Sequence, residues 1–325
     1  MEHTKDNGLK LFTETIYPGQ CKMIEVVVGQ LYTMTPLKIP IYVNRSKNPG
    51  PTIMFTAGMH GDEINGIDVV REIISHKINM PKKGTIICIP IINILSFFNQ
   101  NREFPDGRDL NRVFPGSPNG SLASKFAYYI TKELIDNVDL ILDFHTGGDK
   151  RFNAAQIRID PKKEYLHELA KIFDAPFTVY SKTVEGTFRE TAGKKGVKML
   201  LFEGGMSWDL NDEITSSGLE GSKRILKHYG MLQDHHIVTK PHYKNIIIEK
   251  TSWLRTKHSG LFRTYVNAGD YVTKGQKLAT SYDPYGQKEY HLMADKDCYL
   301  INVNKNATVY SGDAIFNISK KHLDD

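Results

Sequence analysis

The chain has 325 residues, of which 40% are hydrophobic and 24% charged, with a formal net charge of +5. That is enough for one large domain plus a smaller one with a substantial core, in ordinary globular composition. The charge is mild and no lysine–arginine run interleaves with aromatics, so nucleic acid is excluded as the expected partner. No stretch approaches the ~18 uninterrupted apolar residues of a membrane span. The N-terminal MEHTKDNGLK lacks the apolar centre of a signal peptide. Cys21, Cys88 and Cys298 are far apart, odd in number and outside any CxxC. This suits a reducing cytoplasm and argues against disulfides or a cysteine-based zinc site.

The N-terminal segment, to about residue 45, is β-like. From about residue 20 to 235, strand-like and helix-like segments alternate. TIMFTAG (52–58), TIICIPIIN (85–93), DLILDFH (139–145), FTVYS (177–181) and VKMLLFEGG (197–205) are short apolar runs, the pattern of buried strands in a largely parallel sheet. Between them, Ile64, Ile67, Val70 and Ile74 have helical spacing. Ser121 is a good N-cap for the helix that follows it. Asp160-Pro161 predicts an N-cap and first helical position, and LEGSKRILKHYGML (219–232) closes the series. Such alternation predicts an α/β catalytic domain over residues 1–240, with helices on both faces of one sheet.

After about residue 240 the pattern changes. KNIIIEKTSWLR, GLFRTYVNAG, DYVTKGQKLATSYD, KDCYLINVNK and DAIFNI are strand-like and separated by Gly, Asn and Asp. Residues 241–325 are expected to form a smaller all-β domain. Its half-repeats are similar to those of lipoyl or biotinyl carriers, but Lys296 in MADKDCYL lacks the flanking pattern that carrier function requires. The β-rich segments also offer edges for self-association.

Chemistry concentrates at strand ends, where ligands bind in open α/β sheets. His60 and Glu63 follow TIMFTAG, His145 closes DLILDFH, and Glu203 closes MLLFE. An HxxE alone could be a surface pair at a helix start. Two imidazoles and a carboxylate, however, suit zinc with one position open for water, and a further carboxylate such as Glu203 can take and return a proton. NREFPDGRDLNRVFPG (101–116) brings Arg102, Arg108, Asn111 and Arg112 into one loop. Arginine forks there suit a substrate carboxylate or an oxyanion, and Asp109 suits the orienting of an arginine or a ligand histidine. No GxSxG, GxGxxG or GxxxxGK[ST] occurs, so serine-hydrolase, dinucleotide and P-loop chemistries lose their anchors.

GMHGDE (58–63), RDLNRVFPG (108–116), LDFHTGG (142–148) and LFEGG (201–205), in this order, resemble the succinylglutamate desuccinylase/aspartoacylase family of the zinc carboxypeptidase-like superfamily. The resemblance runs from about residue 25 to the end. It implies one zinc per chain on His60, Glu63 and His145, with Glu203 as general base and acid. It places Asn111 and Arg112 on a substrate carboxylate, with Arg108 and Arg189 as further substrate contacts; the oxyanion arginine is left between Arg102 and Arg108, with Arg102 favoured although the family spacing falls on Phe104. The implied activity is hydrolysis of a small N-acyl amino acid, with a metallocarboxypeptidase acting on peptides as the alternative.

Overall fold

The computed structural model describes residues 8–324. A short hairpin of β1 (Leu9–Leu11) and β2 (Glu14–Ile16) precedes a long one of β3 (Cys21–Gln30) and β4 (Pro36–Arg45). The alternating region then runs β5 (Thr52–Ala57), α1 (Ile64–Ser75), β6 (Thr85–Ile89), α2 (Ile94–Asn99), α3 (Leu122–Glu133), β7 (Leu140–Gly147), β8 (Arg151–Ile159), α4 (Glu164–Phe173), β9 (Phe177–Tyr180), α5 (Phe188–Lys194), β10 (Lys198–Met206) and α6 (Asp212–His228). Among the described residues beyond 240 all regular elements are strands: β11 (Ile246–Arg255), β12 (Gly260–Thr264), β13 (Tyr271–Val272), β14 (Lys277–Tyr282), β15 (Glu289–Met293), β16 (Cys298–Asn304), β17 (Thr308–Val309) and β18 (Ala314–Asp324). Among the described residues no helix is long and apolar enough to cross a membrane.

Twelve strands form one mixed sheet in the order β13-β16-β18-β11-β9-β8-β10-β7-β5-β6-β4-β3. Its centre, β6-β5-β7-β10, is parallel, as the continuous apolar runs predict. The expectation of a largely parallel sheet holds only there and across β8-β9-β11. β8 follows β7 after a three-residue turn, too short for a crossover helix, and so lies antiparallel to β10. β4 arrives from a hairpin and is antiparallel to β6. The C-terminal strands continue the same sheet: β11 pairs with β9, and β16 pairs with both β18 and β8. A separate four-stranded sheet of β15-β14-β12-β17 packs over Phe262, Leu278, Leu300 and Phe316.

Successive strand residues point to opposite faces. Leu140, Leu142, Phe144, Leu200 and Phe202 pack with buried residues of α1, α4 and α6. Met54, Ile141 and Met199 pack with those of α3 and α5. Along β7 this alternation turns Asp143 and His145 away from the first core, and along β10 it does the same for Glu203.

Local signals account for several helix ends. The Ser121 hydroxyl accepts from Ser124 N and caps α3 as expected. α6 starts seven residues before Leu219, capped by the Asn211 side chain. Asp160-Pro161 does not open α4. Asp160 instead closes a turn through Lys162 N and Lys163 N, and the helix starts at Glu164. The start of α1 is pressed onto β7: a Cβ at Gly66 would lie 2.5 Å from the Phe144 carbonyl oxygen.

Gly66→Ala should therefore lift α1 from β7 and cost about 1–3 kcal/mol, the usual range for overpacking. Thermal unfolding at fixed scan rate reads this as a melting temperature several degrees lower, and an unchanged melting point would contradict it.

Candidate functional site

β5 ends at Ala57, and the chain turns a corner before α1. Asn93 Nδ2 donates to Met59 O at 3.1 Å, and Gly61 N donates to Asn101 O at 2.9 Å. A side chain at Gly61 is impossible without movement, because its Cβ would meet the Ser96 carbonyl at 2.0 Å. This close approach explains the glycine and puts His60 and Glu63 on the inner side of the corner, both 2% exposed.

Glu63 is the N-cap residue of α1 but its side chain caps nothing. Its carboxylate is committed elsewhere: Oε1 lies 2.6 Å from His60 Nδ1, Oε2 lies 2.8 Å from His145 Nδ1, and Oε2 also accepts from Thr146 N at 3.2 Å. The far nitrogens of both rings meet carboxylates as well. His60 Nε2 is 3.1 Å from Asp109 Oδ1, and His145 Nε2 is 2.8 Å from Asp143 Oδ2. Thr56 Oγ1 donates to the other Asp143 oxygen at 2.6 Å.

His60, Glu63 and His145 each offer a ligand atom, all within 4.8 Å of one another. Burial alone would raise the Glu63 carboxyl, but the two imidazoles outweigh it and hold it well below the usual carboxylate range. Burial likewise opposes charge on the rings, yet Glu63 with Asp109 raises His60, and Asp143 with Glu63 raises His145 well above its ordinary value. The cluster thus draws positive charge to its centre, and a divalent cation can supply it in place of protons. The nitrogen–oxygen donor set, with each imidazole oriented by a second carboxylate, fits zinc.

A cleft of about 430 Å³ opens over this cluster. In the parallel β7–β10 pair Glu203 is the register partner of His145, so the two stand side by side on one face. Its carboxylate accepts from Asn153 Nδ2 at 3.0 Å and from Arg158 Nη1 at 3.0 and 3.1 Å.

The loop arginines separate. Arg102 lines the cleft, with Nη1 3.5 Å from Glu63 Oε1 and Nη2 2.8 Å from Asp109 Oδ2. Asp109 therefore holds both a ring nitrogen and an arginine. Burial works against its charge, but His60 and Arg102 keep its carboxyl far below the ordinary range. Arg108 instead pairs with Asp106, is half exposed and does not line the cleft. Asn111 and Arg112 line it. The Asn111 oxygen is taken by Phe188 N at 2.9 Å, which leaves the amide nitrogen as the group it can offer a ligand, and Arg112 Nη1 donates to Asn111 O at 2.7 Å. Arg189 also lines the cleft, but its guanidinium is held by backbone oxygens, including Lys182 O at 2.9 Å.

Sequence reasoning missed Asp143, Asn153, Arg158 and Asn302. Asp143 carried a usable signal, since in a strand the residue two before His145 shares its face. The others act through pairings 45 to 149 residues apart in the chain.

A model of the succinylglutamate desuccinylase/aspartoacylase catalytic domain matches residues 49–229. N-alpha-acetyl-L-2,4-diaminobutyric acid deacetylase of Halomonas elongata is 31% identical over 291 residues, covering 85% of this chain and 84% of that protein. Two solved structures share the fold at 22% identity. One is the product-bound ectoine utilization protein EutE (DoeB) of Ruegeria pomeroyi, with a TM-score of 0.80 over 98% of this chain and 100% of that one. The other is a succinylglutamate desuccinylase of Silicibacter sp. TM1040, with a TM-score of 0.81 over 97% of this chain and 100% of that one.

Asp143→Asn keeps the shape behind His145 but removes the charge. Zinc affinity, measured by competition with a chelator, should fall about 10–100-fold. Unaltered affinity would remove Asp143 from the metal's support.

Proposed function

Because the chain belongs to the succinylglutamate desuccinylase/aspartoacylase family, we propose that it is a zinc-dependent amidohydrolase that deacylates a small, carboxylate-bearing N-acyl amino acid. The observation that carries this reading is the convergence of His60, Glu63 and His145 in the same cleft as Glu203. The three ligand residues would hold one zinc ion. When bound, zinc supplies Lewis acidity, which polarises the amide carbonyl and makes water acidic near neutral pH.

The remaining work falls to side chains. Glu203 takes the proton of the attacking water on its carboxylate and returns it to the departing nitrogen. Arg102, fixed by Asp109 beside Glu63, offers its guanidinium to the oxygen that gains charge. Arg112 and the Asn111 amide nitrogen hold the substrate carboxylate. Arg189 lines the cleft, its donors already directed at backbone oxygens. Arg108 is left out of both the oxyanion and the substrate-binding roles because it pairs with Asp106 and does not line the cleft.

We read residues 241–325 as the unit that narrows this cleft, since Thr251, Trp253, Asn302 and Asn317 lie along it. Compact N-acyl amino acids should then be good substrates and long peptides poor ones. Efficient release of C-terminal residues from peptides would favour a carboxypeptidase instead.

Three variants separate the roles. Glu203→Gln should keep zinc near the wild-type level while kcat falls by ~10²–10⁴, the usual contribution of a positioned acid/base. His60→Ala should lose metal and activity together. Loss of zinc from Glu203→Gln would make that residue a ligand, and full activity would move the proton shuttle elsewhere. Arg112→Ala should impair turnover of a carboxylate substrate far more than that of its neutral amide analogue. Equal losses would remove the carboxylate clamp.

A further inference from the structure

The Glu203 carboxylate is fixed from two sides. Arg158 Nη1 reaches both oxygens and Asn153 Nδ2 reaches Oε2. These contacts use three of the roughly four lone-pair positions of a carboxylate, which leaves about one for a reacting proton. Asn153 is itself held. Its Oδ1 accepts from Asn302 Nδ2 at 2.7 Å, and the two residues are register partners in the antiparallel β16–β8 ladder. Both side chains are buried, at 7% and 5% exposure.

The direction of this relay has one source. An ionised carboxylate only accepts hydrogen bonds, so Asn153 must turn its NH₂ to Glu203 and its oxygen outward. Asn302 must then turn its NH₂ inward. Its own Oδ1 is left buried, with no partner among the described residues. An unpaired buried acceptor is destabilising, so Asn302 taken alone would not select this orientation.

We propose that Asn302 is a positioning residue for the reaction. Through Asn153 it sets the line along which Glu203 transfers its proton, so that strand β16, besides lining the cleft, acts on the base. The inference rests on Glu203 being the base.

The test uses the zinc-loaded full chain. Asn302→Asp is nearly isosteric but places an acceptor against Asn153 Oδ1. The Asn153 amide then turns over and presents its oxygen to Glu203. We expect kcat to fall about tenfold to a hundredfold, as small misplacements of reacting groups do, with KM within about twofold and zinc content unchanged. The melting temperature should fall as well. In the Glu203→Gln background the new amide can donate to an inverted Asn153, so Asn302→Asp should there cost little melting temperature.

A kcat within about twofold of wild type for Asn302→Asp overturns the proposal. So does a kcat loss with equal melting-temperature losses in both backgrounds, because that assigns Asn302 a merely structural part. If Asn302→Asp does not fold, Asn302→Ala replaces it. This variant removes the outer donor without adding charge, and an unchanged kcat again overturns the proposal. Full activity in Glu203→Gln would sink the base assignment itself. An inactive Glu203→Gln beside a fully active Asn302→Asp sinks only the relay.

Discussion

The buried carboxylate of Glu63, shared between two imidazoles, is the interaction around which the site is built. A charge this deep is tolerated only when it is paired and hydrogen-bonded. Glu63 meets that condition through His60, His145 and Thr146 N. Each imidazole is in turn anchored by a carboxylate, and one of these is anchored by Arg102. The chain of obligations runs outward until it reaches groups that solvent can satisfy. The corner at Gly61, the loop around Asp109 and the end of β7 must all meet at one point for the cluster to exist.

Strand register supplies that meeting point. The period-two alternation of β7 gives Leu140, Leu142 and Phe144 to one core and Asp143 with His145 to the cleft. β10 repeats this with Leu200 and Phe202 against Leu201 and Glu203. Because the two strands are parallel and in step, Glu203 and His145 arrive side by side without a loop to place them. A slip of one residue would send either side chain into the apolar layer. The packing of Phe144 and Phe202 against each other, with ring centroids 5.8 Å apart, thus helps fix the register of the cleft face from behind.

Much of this was legible in the sequence. The apolar runs of β5, β6, β7 and β10 announced buried parallel strands, and the residues at their ends announced a site. β8 was not legible in the same way. Its face toward the cleft carries Gln156 and Arg158, so RFNAAQIRI never forms a continuous apolar run. Ala155, Ile157 and Ile159, with Phe152, pack on the core behind it. The expectation that Asp160-Pro161 begins a helix failed because an aspartate can close a turn as readily as it caps a helix. Most C-terminal strands were visible one by one, whereas β15 and β17 fell between the strand-like stretches. Membership of the main sheet was not visible, since pairing partners far apart in the chain leave no periodic trace. Arg158 and Asn302 were hidden for the same reason.

The continuity of the sheet also bears on how the molecule responds to damage. The connection from α6 to β11 passes through exposed residues such as Asp234, His235, Ile237 and Lys240. Cutting the backbone there severs no ladder. β11 would remain hydrogen-bonded along β9, and β16 along β8. Proteolytic nicking in that connection should leave two fragments that travel as one particle and part only under denaturant, with the cleft wall still in place.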